Sequence, residues 1–554
     1  MTFQIRCLDC HHATPFHPTT SNCPKCNSQW RVAEYDLETV KKIWTAQLRE
    51  RPFDLWRYRE LLPVRNPNTS ISLGEGGTPL IQAVNLGMML GCPNIYIKDE
   101  RQGPTASFKD RQAAVTIAAL KEAGITELVA ASTGNVAISY SAYAARAGIK
   151  LWAFVTSLVP AVKMREIALY GSQVVKVTGS YDQTKQMASE FARQRGLYHD
   201  MGARTITSVE AMKTIAYEVA EQLTQMLDYH STRRLPAWRS PDWYIQSVSG
   251  GMGPLGVAKG YRELRQMGFV EDLPAIAAIQ AEGCAPMVTS WKQGLETPIV
   301  VASPQTHIET LATGDPGRTY RLLKQEVDET HGVFESVSDS EAFRAMHVIA
   351  KMEGLSVEPA AGVAFAGLFK LVRKGIIKPT DTVVVNCTGH TMPAEQWLLG
   401  EDWSLDVEMP RRGETPQRDG LLAALNRVAP EGFPRIAIAD DSPDARRLIR
   451  RILQSQGDFT IFEADNGKSV LELIEKEKPD LIILDLIMPE MDGFAVIDIL
   501  KRNPETANIP VIVASAKELT PDEKSRLEGR IQSLMQKGDF LNDEFLDEVR
   551  ALLD

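Results

Sequence analysis

The sequence predicts an α/β protein of several domains, and three observations carry that prediction. Its 554 residues are about four times a typical ~150-residue domain, too many for one core. From about Thr78 to about Gly400, strand-like and helix-like segments alternate, usually with a glycine between them. A second, shorter alternation runs from Arg435 to Asp554. Apolar residues make up 44% and charged residues 24%, a globular profile. Lys and Arg total 61 against 71 Asp and Glu, a net charge of −10, which argues against broad binding to nucleic acid or an acidic membrane. No apolar run approaches the roughly 20 residues that span a bilayer. Residues 1–10 lack the basic-then-apolar order of a secretory leader, and seven cysteines are too few for a disulfide scaffold. A reducing, cytoplasmic setting is expected.

Residues 1–35 are polar and carry Cys7-x-x-Cys10 and Cys23-x-x-Cys26. Each pair can place two thiolates on one side of a tight turn, and two pairs close a tetrahedral site around Zn²⁺. A segment this short has almost no core, so metal would supply its folding free energy. Pro24 and Asn27 suggest turns rather than the helix of a redox pair, and His11, His12 and His17 are expected to be solvated. The segment reads as a small zinc ribbon, structural or contacting another subunit.

In the 36–400 block, 127–131, 150–155 and 173–177 read as strands and 135–147 and 161–170 as helices, a parallel sheet with helices on both faces. Gly103-Pro104-Thr105-Ala106-Ser107-Phe108-Lys109-Asp110-Arg111 precedes a helix pattern. Ser107 and Asp110 have the spacing of a helix N-cap and its acidic partner. Lys109 would then sit in the first turn, where the macrodipole lowers its pKa and suits it to Schiff-base chemistry. Ser132-Thr133-Gly134-Asn135 follows a buried strand and opens a helix, so backbone N–H groups and the Asn135 amide can hold an anionic or phenolic oxygen. Ser249-Gly250-Gly251-Met252-Gly253 lies between the strand 244–248 and a helix, a turn whose N–H groups can cradle a phosphate. The strand 382–387 ends in Thr388-Gly389-His390, offering a neutral hydroxyl to a ring nitrogen. Amine, phenolate contact, phosphate cradle and ring-nitrogen partner together describe a site for pyridoxal 5′-phosphate (PLP).

These motifs, with Ser72-Leu73-Gly74-Glu75-Gly76-Gly77-Thr78-Pro79-Leu80, Glu210-Ala211-Met212-Lys213-Thr214-Ile215-Ala216 and Glu358-Pro359-Ala360-Ala361, recur in family order. Residues 1–400 closely resemble the threonine synthases, which are PLP enzymes of fold type II (tryptophan-synthase-β-like), built from two subdomains with parallel sheets. The amino-terminal ribbon has a counterpart in some members. The resemblance implies that Lys109 joins the cofactor aldehyde and then shuttles protons. It assigns Asn135 to the PLP 3-hydroxyl, Thr388 to the pyridine nitrogen, Gly250, Gly251 and Gly253 to the phosphate, and Ser132 and Thr133 to the substrate. It implies conversion of O-phospho-L-homoserine and water to L-threonine and phosphate, by a homodimer. Two departures bear on the substrate: Pro254 follows a phosphate turn that in the family is Gly-Asn-x-Gly-Asn-like, and the 309–316 neighbourhood is short. Cysteate synthase, threonine dehydratase and diaminopropionate ammonia-lyase share the lysine motif, and a catalytically dead amino-acid sensor is the other reading.

Residues 401–433, with Pro410, Arg411, Arg412, Gly413, Pro416 and Arg418, read as a mobile linker. In the 434–554 block the strands 435–439, 460–463, 481–484, 511–514 and 531–535 make a small doubly wound, flavodoxin-like (βα)₅ domain. Asp440 and Asp441 end its first strand and Asp485 its third, so three carboxylates converge at one sheet edge, a cluster that Mg²⁺ would neutralise. Ser515 and Lys537 end the fourth and fifth strands and can hold phosphoryl oxygens. With Met488-Pro489-Glu490-Met491-Asp492-Gly493, this block resembles a response-regulator receiver domain. The resemblance implies that Asp485 accepts a phosphoryl group from a histidine kinase and that Ser515 and Lys537 read the phosphorylated state. Leu534 replaces the usual switch aromatic and Gly538 the usual proline. A zinc-ribbon transcription factor is disfavoured by the acidic balance and the lack of a helix-turn-helix.

Overall fold

The computed structural model describes residues 3–65, 71–132, 134–156, 159–178, 181–227, 238–390, 434–456, 459–515, 519–536 and 543–553. The linker 401–433, Thr133 and Lys537 lie outside the described residues. The chain divides into two compact units. One holds residues up to Ala83, Asn94–Ala350 and Leu355 onward; the other holds the carboxy-terminal domain together with Val84–Pro93 and Lys351–Gly354. The assignment of these two short segments differs from the expected 36–400 block, and nothing in the strand–helix alternation marks them.

In the first unit, β1 (Gln4–Cys7), β2 (Ala13–Pro15) and β3 (Arg31–Glu34) form a small antiparallel sheet in the order β2-β1-β3. Next come β4 (Leu80–Gln82) and β5 (Ile95–Asp99), then β6 (Glu127–Ser132), β7 (Lys150–Thr156), β8 (Gln173–Val177) and β9 (Tyr198–Asp200). The block closes with β10 (Trp243–Ser247), β11 (Ala275–Ala281), β12 (Val333–Val337) and β13 (Val383–Cys387). They make two sheets: β8-β7-β6-β9, wholly parallel, and β12-β11-β10-β13-β5-β4. The larger sheet is parallel except that β4 runs antiparallel to β5, a correction to the expected all-parallel arrangement. β4 is a three-residue edge strand joined to β5 through the helix Val84–Leu90, and an antiparallel edge strand is common on an otherwise parallel sheet.

β5, β10 and β13 are buried at every position, which is why they read as continuous apolar runs and not as alternating ones. Helices Ile206–Leu227 and Met252–Gln266 pack on the larger sheet through Met212, Ile215, Val219, Val257, Tyr261 and Leu264. Helices Lys109–Glu122 and Asn135–Ala147 cover the smaller sheet with alanines, whose small side chains let helix and strand approach closely.

The second unit contains β14 (Arg435–Ala439), β15 (Thr460–Ala464), β16 (Leu481–Leu484), β17 (Val511–Ser515) and β18 (Ser533–Gln536), all parallel, in the order β15-β14-β16-β17-β18. This is the 2-1-3-4-5 order of flavodoxin-like domains. Alternate residues of β14 enter opposite cores, Ala437 and Ala439 on one face, Ile436 and Ile438 on the other, so both faces are covered. Among the described residues, no helix is long and apolar enough to cross a membrane.

Candidate active site

The helix Lys109–Glu122 starts at Lys109 itself, and Phe108 occupies the cap position without a side-chain cap bond. The expected Ser107–Asp110 cap is therefore corrected. Asp110 instead turns back to accept from the backbone N–H of Thr105 at 2.9 Å and from its hydroxyl at 2.5 Å, clasping the preceding loop. That loop is stitched to the far end of the chain: Phe108 N–H donates to Thr388 O at 3.0 Å, His390 N–H to Ala106 O at 3.1 Å, and Ser107 bridges Gly389. Backbone bonds thus set Lys109 beside the strand end after β13. Arg111 anchors the same helix from its other side by ion pairs to Glu100 (2.8 Å) and Glu218 (2.6 Å).

Lys109, Asn135, Gly250, Gly251, Gly253 and Thr388 line one cavity of about 610 Å³. Of the expected substrate pair, Thr133 lies outside the described residues and Ser132 does not line the cavity: it is buried and accepts from the N–H groups of Gly134 and Ala137, both at 3.0 Å, capping the helix Asn135–Ala147. The Lys109 ammonium is brought down to about 8, and the cause is burial, opposed by the nearby Asp200 and Glu358 carboxylates. Burial, not the helix dipole expected from sequence, is thus the principal cause. Gly251, which lines the cavity, adopts φ +84° as the cap residue of the helix Met252–Gln266, a left-handed conformation that glycine allows.

Glu358, quoted in a motif but given no role, holds the centre of this group. Its Oε2 accepts from Asn135 Nδ2 at 2.7 Å and its Oε1 from Thr388 Oγ1 at 2.8 Å. Lys163 Nζ reaches Asn135 Oδ1 at 3.3 Å. A Cβ on Gly389 would stand 2.8 Å from the Glu358 carboxylate, so the close approach needs glycine. The Glu210–Ala216 motif lies elsewhere: Glu210 and Lys213 form a buried 2.6 Å ion pair in the helix packing.

In the ribbon, the Sγ atoms of Cys7, Cys10, Cys23 and Cys26 all lie within 4.8 Å of one another, with Cys7–Cys26 at 3.5 Å and Cys10–Cys23 at 3.6 Å. Four thiolates around one Zn²⁺ at ~2.3 Å stand about 3.8 Å apart, so the set fits that ion. Burial raises the Cys7 thiol, but backbone N–H groups of Cys10 and Asp9 outweigh it and bring it to about 6. At the receiver edge, carboxylate oxygens of Asp440, Asp441 and Asp485 also lie within 4.8 Å of one another, a donor set of the kind Mg²⁺ takes. Ser515 ends β17 as expected.

Residues 71–389 match the family model described as pyridoxal-phosphate dependent enzyme, and residues 436–549 match the response regulator receiver domain. Among curated relatives, the chain is 32% identical to threonine synthase of Methanocaldococcus jannaschii over 387 residues, covering 70% of this chain and 91% of the relative. It is 30% identical to threonine synthase of Methanosarcina acetivorans over 403 residues, 72% of this chain and 94% of that one. It is 32% identical to the Mycobacterium bovis threonine synthase over 339 residues, 60% and 86%. The lysine at the helix start, the glycine turn and the strand-end threonine, brought together in one cavity, are the features this match covers, and the chain belongs to the pyridoxal-phosphate dependent enzyme family, of fold type II, with a response-regulator receiver domain at its carboxy-terminal side.

Proposed function

We propose that the protein converts O-phospho-L-homoserine and water to L-threonine and phosphate, under the control of its receiver domain. The observation that carries this reading is Lys109 in one cavity with Asn135, Gly251 and Thr388, in a chain 32% and 30% identical to two archaeal threonine synthases. Bound PLP supplies an electron sink for bonds broken at the substrate carbons. Gly250, Gly251 and Gly253 would hold its phosphate through backbone N–H groups, Asn135 would meet its phenolic oxygen, and Thr388 would turn its hydroxyl from Glu358 to the ring nitrogen. Before that, Glu358 holds the Asn135 and Thr388 side chains in place by accepting from both. Lys109, neutral for part of the time at physiological pH, takes the substrate's α and β protons in turn; the γ-phosphate leaves with its bonding pair, and the amine returns one proton to Cγ and one to Cα while water gives its hydroxyl to Cβ. Ser132 shapes the substrate turn from below, through its bonds to Gly134 and Ala137.

Zn²⁺ on Cys7, Cys10, Cys23 and Cys26 holds the ribbon, and Mg²⁺ on Asp440, Asp441 and Asp485 prepares Asp485 to take a phosphoryl group from a histidine kinase. The enzyme works as a cytoplasmic homodimer. The test is an assay of the purified, PLP-loaded protein against phosphohomoserine, phosphoserine with sulfite, threonine and diaminopropionate. Phosphate release with threonine formation, abolished in Lys109→Ala, is the expected result; turnover of another of these substrates alone overturns it. For the receiver, a small phosphodonor should change turnover or oligomer size in wild type and not in Asp485→Asn. Identical rates and sizing profiles for the two would remove the regulatory part.

A further inference from the structure

The cysteine ribbon does more than pack against the catalytic body. Two of its side chains reach arginines that line the Lys109 cavity. Asp9, inside the Cys7-x-x-Cys10 knuckle, meets Arg318 Nη1 at 2.6 Å. Gln29 Oε1 accepts from Arg204 Nη1 at 2.7 Å. Between them, Trp30 lies under the Arg318 guanidinium, 5.6 Å from ring centre to Cζ, and is itself tied to the knuckle by the Leu8 N–H bond to its carbonyl at 2.9 Å. Trp30, Arg204 and Arg318 all line the cavity that contains Lys109 and the glycine turn. Arg318 opens the helix Arg318–Glu329, and its neighbour Thr319 lies against Gly251.

The charges of these groups point to what they meet. Lys185, another cation of the cavity, is already paired with Asp182 at 2.5 Å. Arg204 has the neutral Gln29 amide as its hydrogen-bond partner. Arg318 gives one nitrogen to Asp9 and stands over the Trp30 ring, while its buried Nε has no acceptor among the described residues. A guanidinium held on one edge and unsatisfied on another is preorganised for a bidentate oxyanion.

We propose that Arg318, oriented by Asp9 and Trp30 of the ribbon and assisted by Arg204, binds the distal phosphate of the substrate, so that the metal ribbon forms a working wall of the active site. This rests on the phosphorylated-substrate reading above. Arg318 is then a substrate-binding residue and Asp9 a positioning residue. The PLP phosphate, held at the glycine turn, is a separate anion.

The test uses the full-length, PLP-loaded protein with two probes: steady-state turnover of O-phospho-L-homoserine, and calorimetric binding of inorganic phosphate. Visible absorption of the bound cofactor and zinc content serve as controls for the fold. In Arg318→Gln, KM for phosphohomoserine and Kd for phosphate should each rise at least tenfold, with kcat falling less and both controls unchanged. Arg318→Lys, which keeps the charge and loses the fork, should fall between, and is the readout if the glutamine variant does not fold. Asp9→Asn should weaken phosphate binding several-fold at full zinc occupancy. Values within twofold of wild type for both Arg318 variants overturn the proposal. A wild type that binds phosphate through Arg318 yet leaves phosphohomoserine unconverted supports the anion receptor and overturns the substrate reading.

Discussion

At the scale of single residues, Lys109 and Glu358 decide what the cavity can do. The folded-state pKa of Lys109, about 8, lies below the ordinary lysine value of 10.5. A depressed lysine pKa means that the unfolded chain binds the extra proton, so burial costs stability below pH 8, and the cost fades as pH rises towards 10.5. The rate at which apo protein captures PLP, followed by its visible band, should therefore rise with pH through about 8 and level off above it. A flat profile from pH 6 to 10 would contradict the burial argument. Lys109→Met should raise the melting temperature of the apo protein at pH 7, by removing a buried amine. Glu358 gives a second prediction. Gly389→Ala places a methyl 2.8 Å from its carboxylate, and must push that carboxylate away from Asn135 and Thr388. Turnover should drop at least tenfold and stability fall by about 1–3 kcal/mol, because the methyl overpacks a buried site and misplaces groups near the chemistry. Lys109, Asn135 and Thr388 were legible because each belongs to a local motif with a chemical meaning. Glu358 was visible only as part of a motif, since its role is a meeting of side chains from three distant segments.

At the scale of elements, the helix Lys109–Glu122 is held by a buried charge cluster. Arg111 and Lys98 face Glu218, Arg111 also meets Glu100, and all four side chains are buried. Removing one partner leaves an uncompensated charge in low dielectric, a loss of about 3–5 kcal/mol. Arg111→Met should destabilise the fold by that order, measured by urea unfolding, and should weaken PLP retention through the shifted helix start. For Glu218, burial raises the carboxyl, but Arg111 and Lys98 outweigh it and hold it at about 2. Its contribution is complete above the unfolded value near 4.5 and is lost as pH falls through 2, so Glu218→Gln should flatten the acid side of the stability curve. Sequence periodicity placed the strands it named, 127–131, 150–155, 173–177, 244–248 and 382–387, to within a residue or two, because strands buried on both faces read as continuous apolar runs. It missed the antiparallel edge strand β4: three residues are too short to show a period, and direction is a property of pairing.

At the scale of the whole molecule, two compact units with separate cores should answer to separate ligands. In calorimetry, PLP should raise one unfolding transition and Mg²⁺ the other, each by about 2.7 kcal/mol at a hundredfold excess over Kd. Mg²⁺ that moves both transitions equally would show that the units unfold as one. The carboxylates of the receiver were legible because consecutive parallel strands end at one edge, so residues far apart in sequence become neighbours by rule. The arginines against the ribbon obey no such rule. Asp9 and Gln29 meet them only because a metal-sized module lies against the rim of the cavity, and spacing along the chain carries no trace of that.

The order of strands in the catalytic unit has one more consequence. The chain leaves the larger sheet after β5, completes the smaller sheet with β6 to β9, and returns at β10. The smaller lobe is therefore an insert hung from the body by two passages, like a door on two pins. Lys109 stands at one of these pins, directly after the outward passage, while the glycine turn and Thr388 belong to the frame.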